Sequence, residues 1–288
     1  MNRRQFLNTG MSAVVAPLVT GVTPRMAGAT PRQTSLPGTD ASGWIPLFNG
    51  KNLDGWYSCL QKSGVQPLPN DYVRVENGQM RLVAQAPGTT GLETGFLATT
   101  AAVGDCRMRV EYRWGTNRFA PRAEAARDNG VLYHIVGPDR VYPSCVEFQL
   151  IEGNVGDASF LQGTRGVQGT VEGFPSRGRA SGPPPPPPPA PGTSPAPAPA
   201  GRGRGGARNV LKEANHEIPN DWNVLEIVMR GDEAVHIVNG TVVTTLVDLG
   251  RPDPDTAGQF LPLTSGKFGF QLYFAELVVR RVAMQRLA

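Results

Sequence analysis

Three cysteines, Cys59, Cys106 and Cys145, are the whole thiol complement of this 288-residue chain. An odd count allows at most one disulfide, and no Cys-x-x-Cys pair or zinc-ligand spacing occurs. A disulfide scaffold and a zinc ribbon are thereby excluded. Histidine is equally scarce, with only His134, His216 and His236. There is no Gly-x-Ser-x-Gly elbow, no phosphate-binding loop and no His-Glu-x-x-His pair, so those hydrolase, nucleotide and metalloprotease classes are not supported. No apolar run reaches the length of a membrane span, and no segment keeps a helical period.

Net charge is +4, from 28 basic and 24 acidic residues. The excess has a local origin. Arg3, Arg4 and Arg25 lie in the first 29 residues, and five arginines without an acid lie in 175–209. Removing both stretches leaves 20 basic against 24 acidic residues, a net of −4. Nucleic-acid binding would need a basic face on the folded part, which this balance does not offer.

Arg3-Arg4-Gln5-Phe6-Leu7 is a twin-arginine pattern. A weakly apolar run, 11–22, and the small-residue site Ala27-Gly28-Ala29 follow in the order of an export signal. The expectation is a signal peptide over 1–29, a flexible lead over 30–43, and a periplasmic or otherwise exported product.

What remains reads as strands. In Cys106 to Trp114 the apolar set is Cys106, Met108, Val110, Tyr112 and Trp114, facing away from Arg107, Arg109, Glu111 and Arg113. In Cys145 to Glu152, Val146, Phe148 and Leu150 oppose Glu147 and Gln149. Further runs are expected at 44–48, 71–76, 79–84, 94–99, 130–136, 222–230, 233–239, 241–247, 266–274 and 276–285. Asn77-Gly78 and Asn239-Gly240 are tight hairpin signals. Many strands and no helix predict an all-β sandwich or jelly roll.

Residues 175–209 stand apart, with seven consecutive prolines (Pro183 to Pro189), Ala-Pro alternation and a Gly-Arg run. This composition cannot bury a core and predicts a disordered insertion. The 79 residues after it hold too few strands to close a domain alone. The expectation is therefore one sandwich over 44–288, interrupted by the loop.

Acids, amides and arginines on the outer face of a half-buried sheet suit a polar, uncharged ligand such as a sugar. Glu147 is the leading candidate base, and His134 could line the same face if its strand pairs with that of Glu147. Glu111 is a possible second carboxylate. Ordinary solvated faces remain the simpler reading of any one strand.

Longer motifs carry a resemblance. Leu47-Phe48-Asn49-Gly50-Lys51-Asn52-Leu53-Asp54-Gly55-Trp56 resembles the opening of the 3-keto-disaccharide hydrolase domain family, also described as 3-keto-glucoside 1,2-lyase/3-keto-2-hydroxyglucal hydratase. Glu111-Tyr112-Arg113-Trp114, Asp128-Asn129-Gly130-Val131 and Glu147-Phe148-Gln149-Leu150 are similar to its later strands. Asp221-Trp222-Asn223 through Asn239-Gly240, and Gly266 to Gln271 through Glu276 to Arg280, continue the likeness in order. The family often has Arg where His134 stands and Asp near Glu152.

The resemblance implies a concanavalin-like jelly roll and a small-molecule carbohydrate substrate, with no nucleic acid, membrane span or specific protein partner. It implies that a base removes the C2 proton beside a C3 ketone, the C1 substituent leaves, and water adds. Glu147 and His134 are then the expected catalytic pair. Glu111, Arg113, Gln149 and Gln271 are expected sugar contacts. A divalent cation on Glu147 and His134 would polarise the ketone. A non-catalytic carbohydrate-binding module and an ordinary glycoside hydrolase are the alternatives.

Overall fold

In the computed structural model, residues 38–180 and 209–287 are described. The expected signal peptide and all but the ends of the proline-rich insertion lie outside these residues. Among the described residues every regular element is a strand, and every pairing is antiparallel.

The first sheet contains β1 (Ile45–Pro46), β4 (Val73–Glu76), β5 (Gln79–Leu82), β7 (Cys106–Arg118), β11 (Arg165–Gln168), β14 (Asn223–Arg230), β15 (Glu233–Val238), β16 (Thr241–Pro252), β17 (Phe260–Pro262) and β19 (Ala275–Arg286). Its main path runs β11-β16-β15-β14-β7-β19-β5-β4. The second contains β2 (Trp56–Leu60), β3 (Gly64–Gln66), β6 (Gly95–Val103), β8 (Asp128–Val136), β9 (Ser144–Ile151), β10 (Asn154–Leu161), β12 (Arg179–Ala180), β13 (Val210–Leu211) and β18 (Gly266–Leu272). Its order is β12-β13-β10-β9-β8-β18-β6-β2-β3.

The two sheets form an all-β, concanavalin-like jelly-roll sandwich. Both draw strands from either side of the insertion: β7 lies between β14 and β19, and β8 pairs with β18. The ends of the insertion meet, with Arg179 opposite Leu211 and Ala180 opposite Val210.

Alternation builds the core. Cys106, Met108, Val110 and Tyr112 from β7 meet Val146, Phe148 and Leu150 from β9 in one buried cluster. Each large apolar side chain buried there contributes about 1.5–3 kcal/mol. Both expected hairpins are present. Asn77 and Gly78 have φ of 52° and 74°, and Asn239 and Gly240 have 49° and 83°, the left-handed pair of a two-residue type I′ turn. All three cysteines are buried free thiols.

His236 crosses this core. Its ring stacks on Phe148 at 4.1 Å. One ring nitrogen lies 2.9 Å from the Tyr133 hydroxyl and the other 3.3 Å from the Gly156 carbonyl. It is a structural tie between the sheets.

Candidate active site on the outer face of the second sheet

Phe148 pairs with Val131 and Glu147 with Leu132, so β8 and β9 lie side by side. The core takes Val146, Phe148 and Leu150, which turns Cys145, Glu147 and Gln149 to the other face of the sheet. Gly130 sits opposite Gln149 on that face. Phe270 pairs with Val131, which puts Gln271 beside Gly130 on β18. Glu147, Gln149 and Gln271 are therefore brought to one patch.

Gly130 is the floor of this patch. A Cβ placed there would fall 2.2 Å from Glu147 Oε1 and 2.9 Å from its carboxyl carbon. Only glycine lets the carboxylate lie down on the strand. The sequence named Gly130 merely as part of a motif; its role as a seat was not visible there.

Gln149 is held in place. Its Nε2 donates to Asp128 Oδ1 at 2.9 Å and to the Asn129 carbonyl at 3.1 Å. Ser159 Oγ donates to Gln149 Oε1 at 3.4 Å. Arg122 approaches Asp128 at 3.4 Å from the far side. Gln271 is 2 % exposed, and its Oε1 has no hydrogen-bond partner in the protein. A buried acceptor left open is costly unless a ligand or water fills it.

Glu147 was expected to be reachable by solvent, and here it is fully buried. Its seating on Gly130 and the apolar neighbours Leu132 and Cys145 account for this. Burial pushes the Cys145 thiol well up, and the adjacent Glu147 charge adds to it.

His134 does not share the Glu147 face. The β8–β9 register shifts between Tyr133 and Val136, and His134 takes φ 52° at that irregularity. An inserted residue reverses the alternation beyond it. The His134 ring lies against Tyr133, a core residue, with centroids 5.3 Å apart. It is 1 % exposed, neither ring nitrogen has a hydrogen-bond partner, and burial holds its pKa down at about 4.

Glu111 and Arg113 also fall elsewhere. β7 belongs to the first sheet, and its polar side faces outward from the opposite side of the sandwich. Burial is the largest single influence on Glu111 and raises its pKa, but the bond from Arg280 at 2.8 Å and the charges of Arg280, Arg109 and Arg281 together hold the group below its ordinary value. Arg109 adds a contact at 3.3 Å. The Arg113 guanidinium lies 5.2 Å from the Trp222 ring. These residues brace one another and do not meet Glu147.

The donors expected for a cation therefore do not converge. Glu147 and His134 lie on opposite faces of their strands. Among the described residues, no three His, Cys, Asp or Glu side chains are grouped to hold a metal ion. Glu147 and His134 do not together form a donor set that fits a divalent cation.

Residues 43–284 match the 3-keto-alpha-glucoside-1,2-lyase-like domain. The chain belongs to this family. It is a carbohydrate-active domain, and the Gly130, Glu147 and Gln149 constellation lies within the matched region. No curated protein is significantly similar to the chain. Among solved structures, a candidate glycosyl hydrolase from Parabacteroides distasonis ATCC 8503 is 18% identical, with 86% of this chain and 95% of that one covered at a TM-score of 0.48. The Bacillus licheniformis beta-glucanase is 11% identical, with 86% and 100% covered at 0.45. The carbohydrate binding module CBM66 from Bacillus subtilis is 10% identical, with 80% and 95% covered at 0.42.

Proposed function

We propose that the family member described above cleaves 3-keto-glycosides by elimination and hydration, with Glu147 as the base. The observation that carries this reading is the seating of Glu147 on Gly130, flanked by Gln149 and the open acceptor of Gln271. Glu147 takes the C2 proton, acidified by the neighbouring ketone. The electron pair forms the C1–C2 double bond as the C1 substituent departs with the former glycosidic electrons and leaves as the alcohol, taking a proton and so returning the net proton removed by Glu147. Water then adds across that bond to give the 3-keto sugar. Gln271 Oε1 accepts from a sugar hydroxyl, while Gln149 is fixed by Asp128 and Ser159 to present its edge. Glu147 is fully buried, so the side chains that cover it must part for the sugar to enter.

This chemistry needs one base on the face. An ordinary glycoside hydrolase needs two free carboxylates across a bond. Asp128 on this face is already engaged by Gln149 and Arg122, and Asp157 on β10 by the Lys212 side chain at 3.2 Å. The single-base reading is favoured for that reason.

The deciding experiment compares a 3-keto-disaccharide with its unoxidised parent. The wild type should cleave only the keto form, and Glu147→Gln should lower that turnover by about 100-fold or more. Equal cleavage of both sugars would remove the proposal. Binding of both without cleavage would leave a carbohydrate-binding module.

A further inference from the structure

A second polar cluster lies on the same face as Glu147, on the other flank of the sheet. One cross-strand row runs Glu147, Leu132, Gly269, Ala98, Tyr57. The row spans four strand spacings, about 19 Å between the end backbones. The Tyr57 hydroxyl donates to Asp139 Oδ1 at 2.6 Å and accepts from Lys267 Nζ at 2.7 Å. Lys267 Nζ also lies 4.5 Å from the centre of the Tyr57 ring. Asp139 belongs to the β8–β9 connection, Lys267 to β18 and Tyr57 to β2, so three separate segments converge here.

The cluster has an unusual arrangement for a brace. Lys267 and Asp139 stand 3.8 Å apart, beyond a direct hydrogen bond, and both are bonded to the Tyr57 hydroxyl. Tyr57 is 3 % exposed, whereas the side chains of Lys267 and Asp139 are 30% and 24% exposed. Asp139 Oδ2 and two of the three Lys267 ammonium hydrogens are not used by these bonds. Burial and the bond to Asp139 keep the Tyr57 hydroxyl protonated.

We infer that Lys267 and Asp139, backed by Tyr57, form a subsite for a neutral sugar unit remote from the bond being cleaved. One hydroxyl of a vicinal diol donates to the Asp139 carboxylate, and its neighbour accepts from the Lys267 ammonium. The two charges cancel, so an anionic or cationic ligand is repelled by one partner while a polyol satisfies both. Tyr57 holds the two groups at the spacing a diol bridges, which removes much of the ordering cost of the long Lys267 side chain. Lys267 is on β18, two strand spacings, about 10 Å, from the Glu147 strand, and Tyr57 is further still. A single ring at Glu147 does not span that distance. The inference rests on the reading that the Glu147 face takes a glycoside, and it makes the preferred substrate an oligosaccharide or a glycoside with an extended leaving group.

The test uses the full chain and two readouts. First, unoxidised methyl glucoside and a linear glucotriose are titrated into the wild type, Lys267→Gln and Asp139→Asn. Each substitution should weaken the trisaccharide about tenfold relative to the methyl glycoside. Equal change for both ligands, or for neither, would overturn the subsite and leave the cluster as a loop tether. Second, the wild type alone should gain more thermal stability from the trisaccharide than from methyl glucoside at the same concentration. The same gain from both would also overturn it, and this arm does not depend on any variant folding. Failure of the Glu147 reading is seen separately, as absent turnover of 3-keto-glycosides with the length dependence of binding intact.

Discussion

The two outward faces of the sandwich treat their charges differently. On the first sheet, acids and arginines answer one another. Glu111 takes Arg280 and Arg109, Glu226 takes Arg107 in a two-pronged pair, and Glu276 takes Arg81 together with the backbone amides of Thr116 and Asn117. On the second sheet, Glu147 is set over a glycine, Gln271 keeps an open acceptor, and Lys267 and Asp139 are held just apart. A face that satisfies itself stabilises the fold. A face with a buried open acceptor such as that of Gln271, and an oriented Lys267–Asp139 pair, is where a ligand completes the polar groups.

The sharpest way to break this contrast is Gly130→Ala. The new methyl would occupy the space of the Glu147 carboxylate, so turnover of a 3-keto-glycoside should fall by about 100-fold or more, with the chain still folded. Overpacking should cost about 1–3 kcal/mol, read by denaturant unfolding. Retained turnover would mean that Glu147 does not act from this seat.

Glu276→Gln tests the other face. Glu276 is fully buried, and its carboxylate pairs with Arg81. The substitution should lower stability by about 3 kcal/mol while leaving kcat/KM of the folded fraction unchanged. A specific loss of activity without loss of stability would blur the division between the faces.

A smaller effect separates His134 from the site. Its pKa is about 4 in the fold against an ordinary 6.5. The unfolded chain therefore binds more protons than the native one between those values. The stability tied to this group is present in full above pH 6.5 and is lost as pH falls from about 6.5 to about 4. His134→Asn, a residue that tolerates the positive φ, should reduce the pH slope of unfolding free energy by up to about one proton over that window. An unchanged slope would contradict the buried, neutral imidazole.

The least change is expected from the insertion. Because Arg179 and Ala180 already pair with Leu211 and Val210, replacing 182–207 by a short Gly/Ser link should leave the melting temperature almost unmoved. Loss of the cooperative transition would show that the segment is part of the fold.

Much of this was legible from residue order. Alternation in 106–114 and 145–151 placed the core side of β7 and β9, and the two Asn-Gly turns placed their hairpins. β10 was missed because Asn154, Gly156 and Asp157 read as a turn. β2 was missed because all five of its residues are buried, which erases the two-residue period. Glu147 and Gln149 were placed on one face of a strand because that strand is regular. His134 was misplaced because one inserted residue reverses a face, and nothing local in Tyr133-His134-Ile135 marks it. Glu111 was misassigned because strand alternation gives a side but not a sheet. Tyr57, Asp139 and Lys267 are separated by as many as 210 positions, so only the fold could assemble them.

The central claim is that Glu147 removes a proton from C2. A 3-keto-glycoside carrying deuterium at C2 tests it most directly, with product analysed by mass spectrometry in ordinary water. The wild type should release product that has lost or exchanged the label, and Glu147→Gln should suppress label loss and cleavage together. Product that keeps its deuterium in full would contradict elimination, even if the glycoside were cleaved.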